Sequence, residues 1–468
     1  MAKYKTPGVY IEEISLFPPS VAQVETAIPA FIGYTEKGST EPTRIKSMVE
    51  YRAIFGGPSK ELPVFNINAS GNISPASAIP VTPVYKLYYM LDIYFANGGG
   101  PCYIISVNPY QNPTEVTASD LSGALSLLKK EDEPTLILFP DATSISDATD
   151  YHDLFIDAMK QCADLGDRFT ICDVKPADAA STDPVGDAAS HFRNNIGTNH
   201  LMYGAAYYPN LRTSLVHVYR EDEIDVDNNG TAMKLRHTDE TLEDDSSKAG
   251  ESLFHASDGA ARNSYYDIRK MIEAVKLVMP PSGAVAGAYA LVDSNRGVWK
   301  SPANVSLNRV SAPTVSIERS EQDGLNVNDT GKSINAIRLF SGKGVLIWGA
   351  RTLDGNSNEW KYISVRRFFN MIEESVKKAT ERFVFEPNDA NTWVKVKAMI
   401  ENFLTLQWRA GALMGAKADD AFFVKVGLGE TMTQDDVLNG KMIVEIGLAA
   451  VRPAEFIILR FSHKMIES

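Results

Sequence analysis

The chain is poor in the residues that advertise chemistry. It has three cysteines, Cys102, Cys162 and Cys172, all in apolar surroundings and none at metal-ligand spacing, so buried free thiols are expected. Seven histidines are scattered, with no His-x-x-x-His or His-x-x-Glu-His pair, and no Gly-x-Ser-x-Gly nucleophile turn occurs. No apolar run approaches the ~20 residues of a membrane helix. The opening Met1–Gly8 is basic but lacks the apolar segment of a secretory signal, so synthesis and assembly in the cytoplasm are expected. Positive charge is in deficit: 46 Lys and Arg against 59 Asp and Glu leave −13 at pH 7. Such a chain repels nucleic acid and anionic lipid, so neither a nucleic-acid partner nor direct membrane insertion is expected.

What is present is an ordinary globular composition, 44% apolar and 22% charged, over 468 residues, enough for two or more domains. From about Glu25 the pattern alternates strand and helix. Ala30–Tyr34, Cys102–Val107, Pro134–Asp141, Asp167–Val174 and Leu201–Pro209 read as buried strands, and Val84–Phe95 and Tyr151–Leu165 as helices. This order predicts a partly parallel sheet flanked by helices. Residues 61–82 read as a polar surface loop, and 220–250, crowded with Glu221, Asp222, Glu223, Asp225, Asp227 and later acids, as an acidic surface excursion. Two amphipathic helices follow near the C-terminus. Over 364–383, Val365, Phe368, Phe369, Ile372, Val376 and Ala379 share one face, with Arg366, Arg367, Lys377 and Lys378 on the other. Over 391–413, Trp393, Val396, Ile400, Phe403, Leu404 and Trp408 face inward, and Lys395, Lys397 and Arg409 outward.

Several fragments imitate functional motifs and fall short. Asp225-Val226-Asp227-Asn228-Asn229-Gly230 is half of a calcium loop, but Arg236 stands where the bidentate acid is required. Gly331-Lys332-Ser333 ends like a phosphate-binding loop, but Asn326 replaces its first glycine. Asn97-Gly98-Gly99-Gly100 follows a helix and precedes a strand, the reverse of a dinucleotide fingerprint, and reads as a turn. Ser282, after two prolines, reads as a backbone-shaping residue. No catalytic, cofactor or metal site is expected.

Both ends of the chain carry short β-like segments. Gly8–Ile14 alternates between Pro7 and Pro18-Pro19, and Ala454–His463 is an apolar run after Pro453. A lone strand must pair either within its own fold or with another chain. Four strings bear on the choice: Thr6-Pro7-Gly8-Val9-Tyr10-Ile11-Glu12-Glu13, the aromatic–Asn97-Gly98-Gly99 turn, Pro280-Pro281-Ser282-Gly283 through Asp293, Arg296-Gly297-Val298-Trp299-Lys300 and Pro302-Ala303-Asn304, and the C-terminal run from Gly342 to Phe456. Together they resemble contractile tail sheath proteins, the outer-tube subunits of phage tails and related injection particles. The opening from Tyr4 to Tyr34 favours an extracellular, phage-tail-like system over a phage.

The resemblance implies an α/β (α+β) protein whose conserved inner domain is built from both chain ends around a larger α/β domain, with extended β-arms. It divides the chain into an N-terminal arm (1–22), an outer domain (23–334), a conserved C-terminal domain (335–452) and a C-terminal arm (453–468). It implies that the arms, through Val9, Tyr10 and Ile11 and through Phe456, Ile457, Ile458 and Leu459, complete neighbours' sheets at strands 421–427 and 441–448. Arg366, Arg367, Lys377 and Lys378 become candidates for gripping an inner tube, against the plainer reading of two packed surface helices. The implied partners are identical and paralogous sheath subunits, the tube protein, and baseplate and cap proteins, with no cofactor and no enzymatic activity. The particle would be assembled in the cytoplasm and released. The rival classes are an α/β enzyme with an unrecognised site and a non-contractile shell protein.

Overall fold

The computed structural model describes residues 20–110, 115–237, 252–255 and 259–459. They form two compact units. The larger holds Glu25–Met371 and the C-terminal segment from Arg452, and the smaller joins the described residues up to Val24 with Ile372–Val451. The smaller unit thus joins an N-terminal segment to residues 372–451, while the segment from Arg452 belongs to the larger unit.

A nine-stranded sheet organises the larger unit, in the order Val305–Ser306, Gly344–Ile347, Ile334–Phe340, Gly204–Tyr208, Phe169–Asp173, Leu136–Leu138, Pro29–Thr35, Cys102–Pro109 and Thr43–Ile45. The strands from Ile334–Phe340 to Cys102–Pro109 run parallel, and the edges are antiparallel. Pro29–Thr35, Phe169–Asp173 and Gly204–Tyr208 are buried at every residue, as strands covered on both faces must be. Alternation sorts their side chains. Ala30, Ile32 and Tyr34 join the core that includes Tyr151, Phe155 and Met159 of the helix Ala148–Leu165. Phe31 joins the opposite core, with the helices Leu87–Ala96 and Ser282–Arg296. These two helices touch backbone to backbone: a Cβ on Gly283 would lie 2.8 Å from the Met90 carbonyl oxygen, and one on Gly287 2.6 Å from that of Tyr94. The glycines of the Pro-Pro-Ser-Gly string therefore serve close packing, which any side chain would wedge apart.

The expected internal boundary at 334/335 falls later, between Met371 and Ile372. The reason is that Ile334–Phe340 adds in parallel to Gly204–Tyr208 and draws Gly344–Ile347 after it into the large sheet.

The acidic excursion is also corrected. Asp225–Asn228 and Thr231–Lys234 form a hairpin that continues through Phe65–Ile67 and Ile73–Pro75 into a four-stranded sheet. Ile224, Val226, Met233 and Leu235 are buried with Phe65, Leu253, Tyr265, Ile268 and Ile272 in a core of their own. The expected loop at 61–82 supplies two of those strands. Acid on one strand face hid the apolar alternation on the other. The calcium-like string is the hairpin turn: Asn229 and Gly230 both have positive φ, 52° and 88°, and Asp227 accepts a hydrogen bond from Gly230 N at 2.6 Å. Among the described residues no cluster of metal-ligating side chains occurs. The acids from Asp239 to Asp245 lie outside the described residues.

In the smaller unit the helix Ala390–Arg409 buries Val396, Ile400, Phe403 and Leu404 of the expected face together with Met399, while Trp393 and Trp408, also expected inward, are half-buried. Phe422–Lys425 pairs antiparallel with Glu445–Leu448 as expected, with Gln434–Leu438 between them capped by Thr433 and Asp436.

Candidate assembly elements and buried polar sites

Val9, Tyr10 and Ile11 lie outside the described residues. The described chain is first held at Gln23, whose Oε1 accepts from Gln407 Nε2 at 3.1 Å, and at Val24, whose N–H donates to Ser375 Oγ at 3.1 Å. At the other end, Phe456, Ile457, Ile458 and Leu459 are 69%, 79%, 77% and 72% exposed and belong to no strand. Four consecutive large apolar residues left in water are uncommon in a chain that works alone. Among the described residues the sheet Phe422–Lys425/Glu445–Leu448 has two strands. An isolated pair of strands is marginal in water and offers its outer edges for pairing.

The helix Ile363–Thr380 departs most from expectation. Its residues to Met371 belong with the larger unit, and there it is buried on nearly every side. Arg366 and Arg367, expected to face outward, are 3% and 4% exposed. Arg366 donates from Nε to Asn370 Oδ1 at 2.8 Å and stacks its guanidinium over Trp360, 4.3 Å from the ring centre. Arg367 grips Asp293 through two nitrogens, at 2.5 and 3.2 Å, and donates to the Thr26 carbonyl at 2.8 Å. Thr26 Oγ1 donates to the same carboxylate at 2.6 Å. The two arginines are internal braces, and their outward placement was wrong. A one-sided apolar stripe cannot reveal a second buried face whose cover comes from residues 26, 293 and 360. The Asp293 of the central string was the one available signal. In the smaller unit's part of the helix, Lys377 and Lys378 are accessible and both pair with Glu374, at 3.2 and 3.3 Å.

Two buried carboxylates, Asp141 and Asp173, stand at the C-terminal ends of parallel strands, where α/β enzymes place their sites. Asp141 accepts from Tyr34 N at 2.8 Å, Lys86 N at 2.5 Å and Leu87 N at 3.2 Å, closing the start of the helix Leu87–Ala96. Asp173 accepts from Ser282 N at 2.8 Å and Ser282 Oγ at 2.6 Å, closing the start of Ser282–Arg296. Each carboxylate satisfies backbone donors that a helix start leaves open, with the helix dipole in support. Burial pushes Asp141 up to about 6 and Asp173 up to about 7 against these bonds, and brings the Lys86 ammonium down to about 8. Neither aspartate lines the cleft of about 630 Å³ around Glu36, Arg52 and Arg220, nor that of about 410 Å³ around Asp147, Asp150 and Asp153. They are structural caps. The other look-alikes are absorbed similarly. Lys332 Nζ donates to the Arg193 carbonyl at 2.5 Å, Ser333 Oγ donates to that of Asn326, and all three cysteines are buried free thiols.

The caps carry a pH signature. Between about pH 4 and 7 the folded chain holds protons on Asp141 and Asp173 that the unfolded chain has released, so stability falls as pH rises through this window. Asp173→Asn removes its part of that slope, and the denaturant midpoints of variant and parent should converge or cross between pH 4.5 and 7. Parallel midpoint curves would show that Asp173 does not titrate there.

The fold and these elements define a subunit built for assembly. Its buried Asp141 and Asp173 hold helix starts, and among the described residues the apolar run Phe456–Leu459 is exposed. A family profile, the phage tail sheath C-terminal domain, matches residues 356–464. The chain is 29% identical over 130 residues to the tail sheath protein of Vibrio phage KVP40, and 27% identical over 147 residues to that of Enterobacteria phage T4. These matches cover 27% and 30% of this chain, and 19% and 21% of the phage proteins. The likeness to solved structures runs the whole length. A chain of the anti-feeding prophage helical sheath in its contracted state is 32% identical, with a TM-score of 0.64, over 98% of this chain and 100% of that one. A chain of the contracted sheath complex of the extracellular contractile injection system PVC is 28% identical, with a TM-score of 0.66, over 99% of each. The chain belongs to the contractile tail sheath family.

Proposed function

We propose that this protein is the repeating subunit of a contractile sheath around the inner tube of an extracellular, phage-tail-like injection particle, and that its work is mechanical rather than enzymatic. What carries the reading is the full-length correspondence to a protein solved as a helical sheath in its contracted state. Copies stack by a heterologous contact that does not close on itself and so propagates. The Val9–Ile11 and Phe456–Leu459 arms add to the open edges of neighbours' Phe422–Lys425/Glu445–Leu448 sheets, and backbone hydrogen bonds tether the copies while each interface moves between two packings. Baseplate and cap proteins bound the stack. Assembly takes place in the bacterial cytoplasm, and the particle is then released.

Attachment to the tube through the helix Ile363–Thr380 now rests on Lys377 and Lys378, the accessible pair, with Lys395 and Arg409 of Ala390–Arg409 as the alternative. Each such contact is weak and salt-screened, but it recurs at every subunit. Negative-stain microscopy of the protein expressed with its tube partner tests the whole reading. Wide, striated tubes that shorten and thicken on triggering are expected. Discrete globules, or shells that never contract, would overturn it.

A further inference from the structure

The C-terminal arm leaves the larger unit at a built anchorage. Glu455, the residue just before the exposed Phe456–Leu459, puts its carboxylate into a polar socket. Its Oε1 accepts from Arg351 Nε at 2.9 Å and from Asn326 Nδ2 at 2.7 Å, and its Oε2 accepts from Arg351 Nη2 at 2.6 Å and from Tyr362 OH at 3.3 Å. Burial acts to raise the Glu455 carboxyl, but the Arg351 and Asn326 bonds outweigh it and hold the group below the usual carboxylate range.

The socket is itself fastened to the large sheet. Arg351 is buried, and its backbone is gripped on both sides by the Asn335 carboxamide: Arg351 N donates to Asn335 Oδ1 at 2.8 Å, and Asn335 Nδ2 donates to the Arg351 carbonyl at 2.8 Å. Asn335 lies within the strand Ile334–Phe340 and donates also to Ala206 O of the adjacent strand, at 3.1 Å. An antiparallel bridge ties Arg351 to Tyr362, another wall of the socket. A chain of strong, short contacts therefore runs from Glu455 through Arg351 to the centre of the sheet. Immediately beyond Glu455, none of the residues 456–459 makes a hydrogen bond among the described residues. A two-pronged, charge-assisted pair of this kind is stronger and more directional than neutral hydrogen bonds, and it is costly to break with one partner left behind.

We propose that Arg351 and Glu455 form the mechanical anchor of the C-terminal arm, so that the pull of a neighbouring copy on Phe456–Leu459 passes into the large sheet instead of peeling the chain end away. The anchor rests on the reading that the arm is exchanged between copies. Its job differs from the arm's own: the arm provides the strand, and the socket resists load along it. Apolar packing is non-directional, whereas this pair, with the Glu455 side chain 21% exposed, is fixed in direction by its fork of charge-assisted bonds.

Four variants separate the two ideas: Arg351→Gln, Arg351→Lys, Glu455→Gln, and a truncation that removes 456–468. Each is expressed as the otherwise full chain with its tube partner, and contracted-sheath lengths are measured by microscopy after triggering. The truncation should give no tubes. Arg351→Gln and Glu455→Gln, with wild-type circular dichroism, should polymerise but break during contraction, with a severalfold drop in mean contracted length. Arg351→Lys, which keeps charge but not the fork, should fall between these and wild type. Loss of tube formation by a folded Arg351→Gln subunit would also support the anchor. Wild-type lengths for both glutamine variants beside a failed truncation would overturn the anchor and leave the exchanged arm standing. A truncation that still builds contracting sheaths would overturn both. Should Arg351→Gln fail to fold, Glu455→Gln, which leaves Arg351 on the sheet, decides the matter alone.

Discussion

Arg367→Ala will unfold the larger unit at a denaturant concentration far below the wild-type midpoint. Removing one partner of a buried ion pair leaves the other charged and desolvated, a loss of about 3–5 kcal/mol. Here the abandoned group is Asp293, 5% exposed at its side chain, whose remaining donor is the Thr26 hydroxyl. Arg367→Lys should recover part of the loss, since one ammonium cannot reach both carboxylate oxygens and the Thr26 carbonyl together. Arg366→Glu should be similarly harmful, since it would press a carboxylate against the Trp360 ring face. The measurement is guanidinium unfolding followed by circular dichroism, set beside co-sedimentation with the tube protein. A folded Arg367→Ala subunit with an unchanged midpoint and lost tube binding would return this arginine to the tube surface and sink the brace. Substitution at Lys377, exposed and paired with Glu374 at 3.2 Å, should leave the midpoint within about 0.5 kcal/mol of wild type.

Deleting residues 1–15 should abolish tube formation and spare the subunit. The deletion ends before Pro18-Pro19 and well before Gln23 and Val24, whose contacts with Gln407 and Ser375 fasten this end of the chain. The described strands of the large sheet and the described residues of its two cores all lie beyond the deletion. What is lost is a strand's worth of backbone bonds to a neighbour, each worth a net ~0.5–1.5 kcal/mol, and that sum is repeated at every copy in the stack. A soluble monomer with near-wild-type circular dichroism and no striated tubes is the expected outcome. A short flexible insertion after Ser15 should act more mildly: tubes form, but contraction stalls part-way along, because slack in the tether absorbs the displacement of the preceding ring. Full-length contraction by the 1–15 deletion would mean that Val9–Ile11 contributes nothing to the joint.

The sequence by itself determined the parts of this protein that depend on short-range order. Strand–helix alternation from Ala30 to Pro209 reports burial on both sheet faces, so the parallel sheet was legible. So was the hairpin-like platform at 422–448, with the capped turn at Thr433 inside it. The apolar run after Pro453 read as a third strand, but its described residues to Leu459 belong to no strand and are exposed from Phe456 onward. Tertiary structure alone decided where charge goes. Arg366 and Arg367 read as solvent-facing groups because an apolar stripe does not show what covers the other face: for Arg367 the distant Asp293, and for Arg366 the Trp360 ring folded back beside Asn370. The acidic hairpin at 225–234 misled for the same reason, since the apolar residues that cover Val226 and Met233 come from 65–67 and 253–272. Periodicity records that a face is buried. It carries no information on whether a distant carboxylate, ring or strand will arrive to neutralise or cover the other face, and that arrival converts an apparent surface charge into a brace, a helix cap or an anchor.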